Sequence, residues 1–275
     1  MKIAICNQNS GDDLAANLAW IDETAAAVAG EADVLLLPEN TLLMPRDEVQ
    51  RADIAEPFAH GELQQRLGNL ARSHGLWIVV GSMLIRFDHD EKPAQTQLIF
   101  DPSGQCVAYY QKMHLFDVAL ANGERYLESG YTRAGRHMAI CHTPFSTLGM
   151  SICYDLRYAE QYRKMAEAGA EVLLVPSAFT QTTGEAHWHT LLRARAIETQ
   201  SFVVASAQTG FHGNGRQTFG HALAFDPWGE CLADLGTEVG VQIVSLEMTV
   251  LHEIRQQMAV LQQHKELGDV CYFNR

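Results

Sequence analysis

Thr147-Leu148-Gly149-Met150-Ser151-Ile152-Cys153-Tyr154-Asp155-Leu156-Arg157 is an apolar run that stops abruptly at a cysteine and continues into polar residues. It reads as a buried strand that delivers a thiol to its C-terminal edge, where the chain turns into a helix. Open α/β sheets place their ligands at such edges. A nearby cation, base or helix N-terminus can make a thiol there reactive. A free cysteine at a strand end is also ordinary packing, so the rest of the chain has to decide.

Apolar runs and helical periods alternate on both sides of it. Strands are expected at Lys2–Asn7, Asp33–Leu37, Leu76–Gly81, Met138–His142, Glu171–Pro176, Phe202–Ala207 and Val241–Leu246. Helices are expected over Asp13–Ala29, Glu62–His74, Tyr158–Gly169, Ala186–Thr199 and Val250–Met258. Two hairpins turn on Asp101-Pro102-Ser103-Gly104 and Asp226-Pro227-Trp228-Gly229. Val118 to Gly135 reads as loop, and Gly210 to Gly215 as a glycine-rich surface loop, since no lysine and helix follow it as a phosphate cradle requires. Two β-rich halves with helices nearby predict an α/β protein of two packed sheets with helices outside. No linker divides the chain, so a single domain is expected.

Composition narrows the function. Thirty-three acidic against 20 basic side chains give a net charge of −13, and no Lys/Arg cluster suits a phosphate backbone, so a nucleic-acid partner is not expected. No window approaches the ~18 uninterrupted apolar residues of a membrane span. The N-terminus enters a strand at once, which predicts no signal peptide, a cytoplasmic location and no membrane partner. Six dispersed cysteines without a CxxC pair read as reduced thiols. His187 and His189, two apart at a helix start, do not face the same way. With no HExxH or Cys/His spacing, neither a metal nor a cofactor is expected.

Three reactive groups recur at strand ends. Glu39 lies just past Val34–Leu37, Lys112 just past Val107–Tyr110, and Cys153 closes its own strand. If these strands are parallel neighbours, a carboxylate, an ammonium and a thiol share one sheet edge. The carboxylate would take the thiol proton, and the lysine would stabilise the oxyanion that follows.

Leu37-Pro38-Glu39-Asn40, Tyr110-Gln111-Lys112-Met113-His114-Leu115 and Ile152-Cys153-Tyr154-Asp155-Leu156-Arg157 resemble the three signature segments of the nitrilase superfamily, the carbon–nitrogen hydrolases. The resemblance runs from Ile3 to about Gln263. Further segments resemble the amidase branch that holds deaminated-glutathione amidase and ω-amidase: Pro176-Ser177-Ala178-Phe179, Thr183-Gly184-Glu185-Ala186-His187-Trp188 and Arg193-Ala194-Arg195-Ala196-Ile197-Glu198-Thr199-Gln200. Arg157-Tyr158-Ala159-Glu160 departs from that pattern, which commonly reads Arg-Phe-Pro-Glu there.

The resemblance implies a four-layer α-β-β-α sandwich, with a catalytic domain at 1–263 and a tail at 264–275. It also implies a Glu39-Lys112-Cys153 triad in which Cys153 attacks an amide carbonyl, Glu39 is base and then acid, and Lys112 with the Tyr154 backbone N–H holds the oxyanion. Glu128 matches the family's second glutamate, which orients the lysine; a surface loop carboxylate is the alternative. Arg157 suits a substrate carboxylate, or equally an ion pair with Asp155 or Glu160. Phe179 and Thr183 match pocket-lining positions, Phe179 being as compatible with plain core. The implied activity is cysteine-dependent hydrolysis of a small linear amide through a thioester with release of ammonia. Foremost among substrates is deaminated glutathione, giving α-ketoglutarate and cysteinylglycine; ω-amidase action on α-ketoglutaramate or succinamate is the alternative. A catalytically silent binding protein on this fold is the reading from another class. The family implies a homodimer or larger homo-oligomer built on helices such as Tyr158–Gly169.

Overall fold

Side chains alternate along each strand, so a strand buried on both faces must be covered on both. That requirement organises this chain. The computed structural model describes residues 1–87, 90–120 and 123–265. The tail from Glu266 to Arg275, including Cys271, lies outside the described residues.

Among the described residues one sheet has nine strands. Its middle is Lys2–Gln8, Val34–Leu36 and Trp77–Arg86, all parallel. The antiparallel strands Ala94–Phe100 and Cys106–Gln111 follow on one side. A second sheet has six strands, with Thr147–Met150, Val172–Leu174 and Phe202–Ala205 parallel at its centre.

Ile3, Ile5, Val34, Leu36 and Val79 share one buried cluster with Leu148, Met150, Val172 and Leu174 of the other sheet. Their alternating neighbours Ala4, Cys6, Leu35, Ile78 and Val80 pack instead with Ile21, Ala25, Leu67 and Ala71. Those four come from the helices Leu14–Val28 and Glu62–His74. On the far side of the six-stranded sheet lie Ala159–Glu167 and Gln181–Thr199; a Cβ at Gly149 would sit 2.7 Å from Leu173 and 3.4 Å from Met165 of the first of these helices. The result is a four-layer α-β-β-α sandwich in one domain. The chain itself stitches the sheets together: Phe202–Ala205 belongs to one and Ala207–Phe211 to the other. At the crossing, Ser206 donates to Leu36 O (2.6 Å) and accepts from Cys6 N (3.0 Å).

The expected elements are found with three corrections. Val118–Gly135 is not simply loop: Asp117–Ala119 pairs with Arg125–Leu127, and a 3-10 turn, Glu128–Gly130, follows. The second site helix starts at Gln181, not Ala186, because the Thr180 hydroxyl caps it by accepting from Thr183 N (3.3 Å). The glycine-rich run is the turn between paired strands Ala207–Phe211 and Gln217–Phe219.

Candidate active site

Glu39, Lys112 and Cys153 do meet, but not on one sheet edge as three neighbouring strands. Glu39 and Lys112 follow strands of the nine-stranded sheet that are separated by Trp77–Arg86 and Ala94–Phe100, and Cys153 follows a strand of the other sheet. They converge across the sandwich. Gly81 makes the approach possible: a Cβ there would lie 2.1 Å from Leu37 O and 2.5 Å from Pro176 Cβ. Any side chain would wedge apart the turns that carry Glu39 and Ala178.

Lys112 Nζ donates to Glu39 Oε1 (2.8 Å) and to Glu128 Oε1 and Oε2 (3.1 and 2.9 Å). Glu39 Oε2 accepts from Ala178 N (2.8 Å), and the Cys153 thiol lines the same cavity as this carboxylate. Glu128 is buried, not a surface loop carboxylate, and Phe116 N fixes its Oε2 at 2.7 Å.

Charge in this dry setting decides protonation. Burial works to raise Glu39, but the Lys112 ammonium, helped by Arg216, holds it below the ordinary carboxylate value. Glu128 is pushed up by burial and by the Glu39 charge, against Lys112. Lys112 stays charged: burial disfavours the ammonium, but Glu128, Glu39 and Cys153 raise it well above the usual lysine value. Burial and the Glu39 charge raise the Cys153 thiol. These directions favour a neutral thiol beside an anionic carboxylate.

Cys153 opens the short 3-10 helix Cys153–Arg157 with φ at 49°, a left-handed conformation that costs a non-glycine residue about 1–2 kcal/mol. The Cys153 N–H donates to Pro176 O (3.0 Å). The Tyr154 N–H has no intramolecular acceptor among the described residues, which leaves a donor beside the sulfur.

These groups line a cavity of about 470 Å³, with Tyr154, Arg157, Phe179 and Thr183 also on its wall. Arg157 makes no ion pair with Asp155 or Glu160; Asp155 is fully committed to Tyr110, His114 and Ile152. Instead the guanidinium lies 5.6 Å from the Tyr154 ring and 5.4 Å from the Phe179 ring, with Nη1 3.4 Å from His187 Nδ1. Phe179 serves both readings, lining the cavity while packing on Trp188 (4.7 Å). Thr183 Oγ1 bonds Thr180 Oγ1 at 2.9 Å.

Sequence reading missed Arg46, Arg51, Arg125 and Arg216, which line the same cavity. Arg51 lies 3.7 Å over the Tyr131 ring, on a six-residue polar helix, Glu48–Asp53, that has no apolar period to betray it. Arg216 donates to Ala178 O and stands 5.3 Å from the Tyr126 ring. The one signal for it was its place at the end of the glycine-rich turn.

The carbon-nitrogen hydrolase family model matches residues 2–256. The chain belongs to the carbon–nitrogen hydrolases. It is 40% identical over 266 residues to a deaminated glutathione amidase of Yersinia enterocolitica, covering 96% of this chain and 93% of that one. A Synechocystis protein of the same name is 38% identical over 263 residues, covering 94% and 96%. The crystal structure of Saccharomyces cerevisiae Nit3, a member of branch 10 of the nitrilase superfamily, superposes with a TM-score of 0.85 at 27% identity over 96% of each chain. The protein is thus a hydrolase of carbon–nitrogen bonds with a small-molecule substrate. Among the described residues no helix is long and apolar enough to cross a membrane.

Proposed function

We propose that this hydrolase is an amidase that cleaves deaminated glutathione to α-ketoglutarate and cysteinylglycine through a thioester on Cys153. The observation that carries the chemistry is that Cys153 lines one cavity with Glu39, whose carboxylate is held by Lys112 Nζ and Ala178 N, and with Lys112, which is also paired to Glu128. Sγ attacks the amide carbonyl as Glu39 takes its proton. Lys112 Nζ and the Tyr154 N–H hold the oxyanion, and Glu128 keeps Lys112 aimed at it. Collapse breaks the C–N bond, and Glu39 returns the proton to the leaving nitrogen. Water then attacks the thioester, Glu39 takes its proton, and the C–S bond breaks as the sulfur is reprotonated.

With deaminated glutathione the leaving nitrogen is the amino group of cysteinylglycine. Ammonia release, expected from the sequence, therefore applies only to primary amides such as α-ketoglutaramate. The relatives' names support the longer substrate, and so does the wall of the cavity. Arg157 has no carboxylate partner within 4.0 Å among the described residues, and the separate arginines Arg51 and Arg125 line the same space. Deaminated glutathione carries a carboxylate at each end; α-ketoglutaramate carries one. Arg157 would take the α-keto acid carboxylate bidentately, while Phe179 and Thr183 shape the acyl end.

The test is product analysis with wild type and Cys153→Ala. Cysteinylglycine and α-ketoglutarate appearing in equal amounts from deaminated glutathione, and not with the variant, supports the reading. Faster ammonia release from α-ketoglutaramate moves it to ω-amidase. Silence on both with an intact Cys153 overturns it. A reducing cytoplasmic setting goes with this reading, since the five described cysteines are all free. So does a homodimer through the helices beside the cysteine segment, where Tyr158 and Ile197 are exposed; sedimentation as a monomer at micromolar concentration would rule that out.

A further inference from the structure

We propose that His189, His221 and Asp234 form a binding site for a divalent transition-metal ion of the zinc type, separate from the active-site cavity. The three donors come from three segments: the helix Gln181–Thr199, the corner before Leu223–Phe225, and the strand Cys231–Asp234. His189 Nε2 lies 2.9 Å from Asp234 Oδ2, and His221 Nδ1 lies 2.9 Å from Oδ1. All donor atoms fall within 4.8 Å of one another. A tetrahedral zinc ion with bonds of about 2.1 Å needs its ligand atoms roughly 3.4 Å apart. Each imidazole has to open from the carboxylate by about half an ångström, and the most widely spaced donor pair, within 4.8 Å, has to close by about an ångström.

The surroundings hold the donors in place. His221 has a φ of 57°, a left-handed conformation uncommon outside glycine. It is locked there by its N–H to Gly236 O (2.6 Å) and by Trp188 Nε1, which donates to its carbonyl (2.9 Å). Trp188 is the residue beside His189, so the frame of one ligand is tied to the frame of the other. Gly236 N donates to Asp234 Oδ1 (2.9 Å). Phe219 stacks on His221 (4.4 Å) and meets His189 edge-on (5.9 Å), giving the site an apolar wall. The donors are partly exposed, with side-chain accessibilities of 42%, 22% and 30%, so an ion can enter. Two imidazoles and one carboxylate suit zinc, copper or nickel, not magnesium or calcium. His187 does not take part; it faces Arg157.

An ion here would clamp the helix that carries Thr183 to the hairpin that carries Phe219, whose N–H bonds Phe179 O (3.0 Å). The test uses full-length Cys153→Ala protein, stripped of metal, so that the active-site thiol does not compete. It is titrated with zinc chloride by equilibrium dialysis and with cobalt chloride by visible absorption. We expect one equivalent of zinc, tetrahedral cobalt bands, and a melting temperature raised by zinc. Adding His189→Gln or His221→Asn, the latter because asparagine tolerates φ > 0, should weaken binding on the order of a hundredfold or more and cancel the thermal shift. Circular dichroism of the metal-free variants checks their fold, and His189→Gln decides the matter if the corner variant fails. Equal zinc binding by parent and variants, or none by the parent at micromolar metal, would overturn the site and leave a carboxylate shared between two imidazoles.

Discussion

Asp155 Oδ1 accepts from His114 twice, from the backbone N–H at 3.0 Å and from the ring Nδ1 at 2.7 Å. Its other oxygen accepts from the Tyr110 hydroxyl (2.7 Å) and Ile152 N (3.0 Å). A carboxylate with four donors has its acceptor capacity filled. Tyr110 and His114 flank Lys112 at the end of the strand Cys106–Gln111, and Ile152 precedes Cys153 just past the strand Thr147–Met150 of the other sheet. This fully buried side chain therefore sets the ammonium against the sulfur without touching either.

Replacing it tests that statement. Asp155→Asn turns one acceptor into a donor facing donors, and should cost about 2–3 kcal/mol in denaturant unfolding. If Asp155 positions the two segments, kcat also falls at temperatures where the variant is fully folded. Unchanged kcat in the folded variant would confine it to stability.

The carboxylates should separate in a pH profile. Acid protonates Glu128 first, since burial and the Glu39 charge raise it above the ordinary 4.5, whereas Lys112 and Arg216 hold Glu39 below that value. Wild-type kcat/KM should thus begin to fall above pH 4.5 on acidification. In Glu128→Gln it should be about 10²–10³ lower at neutral pH. Its remaining acid limb should lie below 4.5, because Glu39 has lost a like-charged neighbour. Steady-state rates across the acid range read both effects.

Strain at Cys153 gives a stability test. Both Cys153→Ala and Cys153→Gly remove the sulfur, but only glycine adopts a φ of 49° without penalty. After glycine's own entropic cost, the glycine variant should exceed the alanine variant by about 1 kcal/mol in chemical denaturation. The reverse order would mean the corner is relaxed.

Substrate choice should follow the cavity arginines. Arg51→Leu should raise KM for deaminated glutathione by about 10–100-fold, the loss of one charge-assisted contact, and leave α-ketoglutaramate nearly unaffected. Arg157→Ala should impair both. Equal effects of Arg51→Leu on the two would remove it from recognition of the leaving group.

Much of this site was legible in the residues because strand ends are marked by chemistry: Pro38 stops a run of aliphatics just before Glu39, and Cys153 breaks another. What was misjudged was how the ends meet. Nothing in the period of Val34–Leu36 or Thr147–Met150 says which sheet a strand joins, since both are buried on two faces and read alike. Glu128 was found only through family resemblance, because Asp117–Ala119 and Arg125–Leu127 are too short to show alternation. The start at Gln181 was hidden by Thr182, Thr183 and Gly184, weak helix formers overruled by packing: a Cβ on Gly184 would press within 2.3 Å of Phe219.

Because Glu39 and Cys153 follow strands of different sheets, their spacing is gauged by the layer of aliphatic side chains between those sheets, Ile5, Leu36 and Met150 among them. Warming that loosens this layer would disengage the pair while every strand is still hydrogen-bonded to its neighbours. Heat inactivation would then set in ahead of melting, and trimming a methylene deep in the interlayer would act as a mutation of the active site.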